Sequence, residues 1–237
     1  MSRSIISTVA TAVVMALAAP VGAATFDFGR MANDFWNLAS GPGGRPFEPS
    51  FQQFADSSLA GALEDEGVRI LSAVATQDDG RTAHAFLDHD LSRRQAGLGV
   101  CSSGFLGNGV SECSTGFGNH RSDDNITEGE TVAVTFDQQV AFTDLEFRDA
   151  QHFLANGTLL IGGQNYVVDN GRLAASDVSR IGRGSTFSFG YGGENPTEIY
   201  LTVATVAPVP LPAGIGLLAA ALGGLAGLRR MRRRADA

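Results

Sequence analysis

The stretch ETVAVTFDQQVAFTDLEF, residues 130–147, carries the clearest structural signal in this chain of 237 residues. Apolar and polar residues alternate over 130–136 and again over 140–147, which is the period of a strand with one buried face. The polar triplet at 137–139 separates the two runs, and turns favour such residues. The sequence therefore predicts two strands joined as a β-hairpin.

Shorter alternating segments surround this pair and are separated by glycine, asparagine and aspartate. They occupy residues 67–75, 83–87, 158–161, 165–168, 185–189 and 198–205. In the first of them, Val68, Ile70 and Val74 are expected to share one buried face. A Gly-Gly pair at 162–163 predicts a tight turn between two of the others. Eight short strands with such connections predict an all-β fold: a single β-sandwich, jelly-roll-like, with its core at residues 66–205.

The part of the chain before this core, residues 24–65, has a weaker pattern. Residues 31–49 are rich in glycine and proline and are predicted to be irregular. A helix is expected over 51–63, capped by Asp56 or Ser57. We therefore expect an irregular, partly helical segment that belongs to the same domain.

The charge of the chain is unevenly distributed and argues against one class of partner. The formal net charge is −8, and every basic residue is an arginine. Residues 24–208 hold 11 arginines against 24 acidic residues, a net charge of about −13. Such a polyanion repels phosphate backbones, so we expect no nucleic-acid partner.

The N-terminal segment has the order of a secretory signal peptide. A single arginine precedes an uncharged apolar run at residues 5–19, and small residues at 21–23 then offer a cleavage site. We predict a signal peptide at residues 1–23, removed by signal peptidase after Ala23. The alternative is an uncleaved anchor helix, for which the apolar run is short.

The C-terminal segment is apolar and then basic. Residues 211–228 carry no charge, and as a helix they would extend about 27 Å, close to the thickness of a bilayer's hydrocarbon core. We predict a transmembrane helix at 214–228 and a basic cytoplasmic tail at 229–237. The basic stop-transfer residues are Arg229, Arg230, Arg232, Arg233 and Arg234. Because arginines stay on the cytoplasmic side, the domain is expected to face outward.

A proline-containing motif precedes the apolar helix, within a predicted linker at residues 206–213. The motif consists of Val209, Pro210, Leu211, Pro212 and Ala213. The order of motif, apolar helix and arginine cluster resembles the VPLPA variant of the PEP-CTERM sorting signal. This resemblance covers residues 209–237 and implies an exosortase substrate of a Gram-negative bacterium, exported through the inner membrane to the cell surface or beyond. An ordinary tail anchor is the alternative.

The resemblance has two further implications. Proteins with such tails accompany exopolysaccharide production, so exopolysaccharide and biofilm are the expected surroundings. The order of features over residues 66–203 is similar, more loosely, to the domains that often precede these tails. That similarity implies a sandwich and no particular activity.

Two candidate sites follow from the residues themselves. Cys101 and Cys113 are the only cysteines, and in an exported protein they are expected to form a disulfide rather than a reactive or metal-binding thiol. Asp123, Asp124 and Asn125 form an oxygen-rich turn of the kind that binds Ca²⁺. A solvated acidic turn is the other interpretation, since the spacing is not that of an EF-hand. No other cofactor is expected.

No catalytic motif stands out in the sequence. It contains no Gly-x-Ser-x-Gly, HExxH or phosphate-binding glycine loop. The spacing of His84 and His89 suits neither a strand face nor a helix face, which argues against zinc. Trp36 and the tyrosines could stack on sugars, although aromatic residues of sandwiches belong more often to the core. We therefore expect a non-catalytic, exported surface or extracellular-matrix protein; the alternatives are a carbohydrate-binding module and a secreted hydrolase.

Overall fold

The structure, a computed structural model, describes residues 22–39, 49–77, 80–89, 95–101, 105–106, 110–111, 125–192, 198–210 and 223. Within these ranges the chain is mostly β, with three α-helices and one 3-10 turn. This confirms the predicted all-β class. The arrangement of the sheet follows from one strand that is much longer than the others.

The elements follow one another along the chain in this order. The strands are β1 (Ala24–Asp27), β2 (Glu64–Asp65), β3 (Val68–Thr76), β4 (Thr82–His89), β5 (Gln95–Cys101), β6 (Phe105–Leu106), β7 (Val110–Ser111), β8 (Thr131–Asp149), β9 (Gly157–Ile161), β10 (Gln164–Asp169), β11 (Arg172–Leu173), β12 (Arg183–Tyr191) and β13 (Ile199–Pro208). The helices are α1 (Phe28–Ala39), α2 (Phe51–Ala55) and α3 (Ala175–Arg180), and the 3-10 turn covers Ala60–Leu63. β6 and β7 form a separate ribbon, and the other strands form one sheet.

β8 runs without interruption for 19 residues. The predicted hairpin within 130–147 is therefore wrong, because the chain continues through the polar triplet at 137–139. Before the triplet, β8 pairs with β3 on one side and β12 on the other. After it, β13 takes the place of β3, while β12 continues as far as Ala141 and β11 then pairs at Glu146. One strand thus has two successive sets of partners.

The polar triplet makes no turn because distant parts of the chain bind its polar groups. Asp137 Oδ1 accepts the backbone N–H of Arg69 at 3.0 Å, and the Gln138 side chain donates to the carbonyl of Gly67 at 2.7 Å. The backbone carbonyl of Gln139, the last residue of the triplet, accepts the N–H of Val209 at 2.9 Å. These partners lie far away in the sequence, so the local pattern gives no sign of them.

The strand pairings form two closed circuits that share β8. One circuit runs from β8 through β3, β4, β5 and β13 and back to β8. The other runs through β11, β10, β9 and β12 and back to β8. β1 extends the first circuit by pairing antiparallel with β13. The long strand is therefore the common element of both halves of the sheet.

The apolar core is rich in phenylalanine and joins the two halves of β8. Phe136 and Phe142, from either side of the triplet, have ring centroids 6.4 Å apart and lie 6.2 and 4.5 Å from the ring of Phe187 of β12. Phe26 of β1 packs on Phe136 at 5.9 Å. All four side chains are buried. Burying one such side chain contributes roughly 1.5–3 kcal/mol, so this cluster holds three strands that are distant in sequence.

A β-bulge in β3 changes which of its residues face the core. The residues on either side of Leu71 oppose adjacent residues of β8, which leaves one residue extra. Beyond the bulge the alternation shifts by one position. Val74 is consequently 46% exposed, while Ala75 is buried. The expectation that Val74 shares the buried face of Val68 and Ile70 is therefore wrong.

The segment 24–65 is more regular than predicted. It opens with β1 and continues directly into α1, so the expectation of irregular structure over 31–49 fails for residues 31–39. Asp27 Oδ1 accepts the N–H of Arg30 at 2.8 Å at the start of α1. The buried side chains of α1 follow the helical period: Phe28, Met31, Ala32 and Phe35.

The predicted helix at 51–63 is divided into α2 and the 3-10 turn. Ser50 caps α2, in place of the expected Asp56 or Ser57. The Ser50 hydroxyl accepts the N–H of Gln53 at 3.2 Å, and the Gln53 side chain accepts the N–H of Ser50 at 2.9 Å. This reciprocal capping box fixes where the helix begins.

The turn at 162–163 is confirmed, whereas the end of the sheet differs from the prediction. Both glycines have positive φ, 58° and 79°, as the tight turn between β9 and β10 requires. β13 continues to Pro208 and pairs with both β8 and β1. Residues 206–208 are therefore strand, not part of a linker.

The predicted membrane segments lie almost wholly outside the described residues. Gly22 and Ala23 are the described part of the signal peptide, and Gly223 is the described part of the helix at 214–228. The basic tail at 229–237 lies outside them as well. Among the residues that the structure describes, no helix is long and apolar enough to cross a bilayer.

The contact between β5 and β13 leaves no room for a side chain at Gly97. This residue has a φ of 150°, and an added Cβ would lie 2.5 Å from the carbonyl oxygen of Leu201. Since the backbone would have to shift, we expect Gly97→Ala to lower the free energy of unfolding by on the order of 2–3 kcal/mol. Urea denaturation, followed by tryptophan fluorescence, measures this change.

Gly61→Ala is the matched control for this substitution. Nothing lies within 4 Å of a Cβ at Gly61, so its stability change should stay within about 0.5 kcal/mol. Equal stabilities of the two variants would contradict the close approach of β5 and β13.

Candidate functional site

A histidine and a carboxylate meet at the C-terminal end of β4. His152 Nε2 lies 2.9 Å from Asp88 Oδ2, and the two side chains are 16% and 5% exposed. The atoms are at ion-pair distance, although they do not align as a full hydrogen bond. Because a histidine beside a buried carboxylate can perform acid–base chemistry, this pair is the first candidate site.

The surrounding structure fixes the position of His152. Its φ is 63°, a left-handed conformation that residues other than glycine seldom adopt. The N–H of His152 donates to the carbonyl of Asp149 at 2.8 Å, and Arg148 Nη1 donates to the carbonyl of His152 at 3.0 Å. The ring of Tyr200 meets the imidazole edge-on, with centroids 5.4 Å apart. A turn, an arginine and an aromatic ring therefore orient the imidazole.

A chain of ion pairs continues from this turn along β8. Glu146 lies 3.3 Å from Arg148 and 3.3 Å from Arg172. Arg172 also contacts Asp144 at 2.9 Å. Exposed pairs contribute only about 0–1 kcal/mol each, but the carboxylate of Glu146 joins two arginines and is itself mostly buried. The network attaches β11 and the turn after β8 to the sheet.

The two histidines of β4, His84 and His89, have different neighbours. His89 stacks on Trp36 of α1, with ring centroids 4.4 Å apart and the planes 6° from parallel. Burial lowers the pKa of His84, because it penalises the charged imidazolium. In the described part of the chain, no group of three or more His, Cys, Asp and Glu side chains is placed to hold a metal ion.

The pair of Asp88 and His152 has a structural role that its geometry makes plain. Asp88 belongs to β4, in the first circuit, and His152 belongs to the turn that follows β8. Their contact attaches that turn to the first circuit. Sequence reasoning missed the pair because its members are far apart in the chain. The only local signal was a carboxylate at the end of the buried run Ala85 to Leu87.

Of the predicted calcium residues, only Asn125 is described, and Asp123 and Asp124 lie outside the described residues. Asn125 is 5% exposed, and its side-chain amide donates to Glu198 Oε2 at 3.2 Å. That hydrogen bond attaches the segment before β8 to the start of β13. Calcium binding at this turn stays a prediction.

Only one of the two cysteines of the predicted disulfide lies within the described residues. Cys101, the last residue of β5, is disulfide-bonded and 1% exposed. Cys113, the only other cysteine in the sequence, lies outside the described residues. A disulfide closing a loop of this length contributes about 3 kcal/mol in the chain-entropy model.

The aromatic residues considered as a sugar platform do not lie together on the surface. Tyr166 and Tyr200 are 4% and 1% exposed, so their rings belong to the interior. Trp36 presents its ring to His89. Tyr191 is half-buried at the end of β12. Stacking on a sugar would require exposed ring faces, which Tyr166 and Tyr200 do not offer.

The predicted sorting motif begins where the folded sheet ends. Val209 directly follows β13, and its N–H donates to the carbonyl of Gln139 at 2.9 Å. Pro210 is exposed. The rest of the motif, residues 211–213, lies outside the described residues, as do the five arginines of the stop-transfer cluster. The domain therefore reaches the first residue of the motif without an intervening linker.

Comparisons of this chain with models of protein families, with curated proteins and with solved structures find no match. The function must therefore be argued from the sequence and from the geometry described above.

Removing the imidazole of His152 should leave the buried carboxylate of Asp88 without its polar neighbour. We expect His152→Ala to lower the free energy of unfolding by roughly 2–3 kcal/mol. Asp88→Ala should lower the free energy of unfolding less in the His152→Ala variant than in the native protein, because the two residues are coupled. Urea denaturation of the two single variants and the double variant measures this coupling.

Arg30→Ala serves as the control, because Arg30 and Asp34 are exposed and 3.6 Å apart. Its effect should stay below about 1 kcal/mol. Strict additivity of the changes at Asp88 and His152 would show that the pair has no energetic role.

Proposed function

We propose that this chain is an exported surface or extracellular-matrix protein without catalytic activity, sorted by its C-terminal tail. Signal peptidase would remove residues 1–23, and the helix at 214–228 would anchor the domain transiently. An exosortase would then cleave near residues 209–213 and leave the domain at the cell surface or outside the cell. Exopolysaccharide is the expected surrounding of such a protein.

The position of the sorting motif is the observation that carries the proposal. The last strand ends at Pro208, and Val209 is hydrogen-bonded to the domain. Pro210 is exposed directly beyond that hydrogen bond. Proline disfavours helix and keeps the preceding residue extended, which is the form that proteases bind. A membrane protease could thus reach the motif while the domain stays folded.

The disulfide at Cys101 supports export. Disulfides persist in oxidising compartments and are rare in the cytosol, where thiols are kept reduced. Cys101 is disulfide-bonded and ends a buried strand of the first circuit. A disulfide at this position is what we expect of a domain that folds outside the cytoplasm.

The setting of His152 supports a non-catalytic domain. A general acid or base must reach its substrate, yet Asp88 is almost wholly buried and His152 is mostly so. The contact joins two parts of the fold instead. A secreted hydrolase, the least favoured alternative, would need such a pair in an open cleft.

We also infer that the sheet folds as a β-sandwich of jelly-roll-like form. The support is the pattern of burial along β8, where Val132, Val134 and Phe136 are buried and the residues between them are half-exposed. Val140 and Phe142 continue that buried side beyond the triplet. Two sheets facing each other across one core would share this strand.

A carbohydrate-binding module is the second candidate, and one observation favours it. Where residues 72–76 of β3, 131–135 of β8 and 186–188 of β12 pair, the outer face of the sheet is uncharged and rich in hydroxyl groups. Its residues are Ser72, Val74, Thr76, Thr131, Ala133, Thr135, Thr186 and Ser188. In a chain of net charge −8, a neutral hydroxyl-bearing face would suit a neutral polysaccharide. Retention of the purified protein on such a polysaccharide would distinguish this candidate.

The sorting proposal predicts that the prolines of the motif are needed for C-terminal processing. In the native host, Pro210→Ala combined with Pro212→Ala should leave the C-terminal helix attached and the protein in the membrane fraction. Mass spectrometry of the C-terminus, together with cell fractionation, measures both effects. Pro208→Ala, one residue before the motif, is the matched control and should be processed normally. Unchanged cleavage and unchanged location of the double variant would remove the sorting claim.

A further inference from the structure

The first strand of the domain begins at the predicted signal-peptide junction. β1 starts at Ala24, the residue that would follow the cut after Ala23. Ala24 is 0% exposed and pairs with Val206 of β13, four residues before Pro210 of the sorting motif. The junction is thus the edge of a packed strand, and no flexible leader separates it from the domain.

Both edges of β1 are occupied around this junction. On one side, β13 pairs with the whole of Ala24–Asp27. On the other side, the N–H of Thr25 donates to Asp65 Oδ2 at 2.7 Å. Gly22 lies against the side chain of Glu66, because a Cβ at Gly22 would be 2.8 Å from Glu66 Oε2. The backbone that directly follows the junction is therefore already bound, while Gly22 and Ala23 are exposed.

Proteolysis needs that same backbone. A protease binds its substrate as an extended strand and uses main-chain hydrogen bonds on either side of the bond that it cuts. It also needs the first residue after the cut in its cleft, and here that residue is buried. Cleavage after Ala23 therefore requires β1 to separate from β13.

We propose that the docking of β13 on β1 closes the signal-peptidase site, so that the signal peptide must be removed before the last strand arrives. This inference rests on the proposed export and adds an order to its steps. Among the described residues, β13 is the final strand, and it directly precedes the predicted sorting motif.

The antiparallel register adds a second consequence. Since Ala24 opposes Val206, residues 22–23 and 207–209 leave the domain at the same end. A precursor that folds before processing would hold both apolar segments side by side at one membrane surface, with its N-terminal junction closed. Early removal of the signal peptide prevents that doubly anchored form.

The test uses the purified full-length precursor and signal peptidase in detergent micelles. One variant carries a six-residue Gly-Ser insertion between Ala24 and Thr25, which keeps the junction sequence and moves it up to about 20 Å from the sheet. A second variant ends at Glu198 and so lacks β13. Mass spectrometry follows the rate of cleavage between Ala23 and Ala24 in all three proteins, and circular dichroism checks that the insertion variant is folded.

We expect the folded precursor to be cut at least about ten-fold more slowly than either variant, because local opening of β1 must precede cleavage. Cleavage of the folded precursor as fast as the insertion variant would overturn this inference and leave the export proposal intact. Failure of all three proteins to be cut at this junction would overturn the signal-peptide assignment, and this inference with it.

Discussion

The fold depends on β8 passing through the polar triplet at 137–139 without reversing. Its first half pairs with β3 and its second half with β13, so a single strand holds two circuits of the sheet together. Asp137 and Gln138 make this possible, because their side chains bind backbone groups 68 and 71 residues away in the chain. Once those groups are bound, nothing favours a turn, and the phenylalanines on either side of the triplet pack into one core.

The polar triplet at 137–139 also holds the C-terminal end of the sheet. Gln139, the last residue of the triplet, accepts the N–H of Val209. The point where β8 changes partners is thus also the point where the folded domain meets the predicted sorting motif. β1 lies beside this end through its pairing with β13. The two ends of the domain that would connect to membrane segments are therefore fixed by the core architecture.

Local pattern was enough to predict most of the strands and the all-β class, because alternation is a property of neighbouring residues. It was not enough at 137–139, where the deciding partners are Gly67, Arg69 and Val209, nor at Val74, where a bulge shifts the alternation. The helix α1 was predictable in principle, since Phe28 begins a run of apolar residues at helical spacing. The glycines and prolines that follow it favour an irregular segment instead, which is why the pattern over 31–49 gave the wrong expectation for residues 31–39.

The candidate site was less accessible to sequence reasoning than the fold. Asp88 and His152 come together only because the turn after β8 folds back on β4, and neither residue sits in a motif. The predicted signal peptide and sorting tail differ in this respect, because each consists of consecutive residues whose pattern is visible in the sequence. This contrast explains why the route of the protein could be proposed from its sequence, whereas the role of its buried ionic contacts required the structure.

The continuity of β8 is the central claim, and a distance within that strand tests it most directly. Spin labels at Ala133 and Thr143, both on non-core positions, would lie roughly 25–33 Å apart if the strand is continuous, at about 3.3 Å per residue. Double electron–electron resonance measures such a distance. A separation near 30 Å is the predicted result, and labels within about 10 Å of each other, as in a hairpin, would contradict the account.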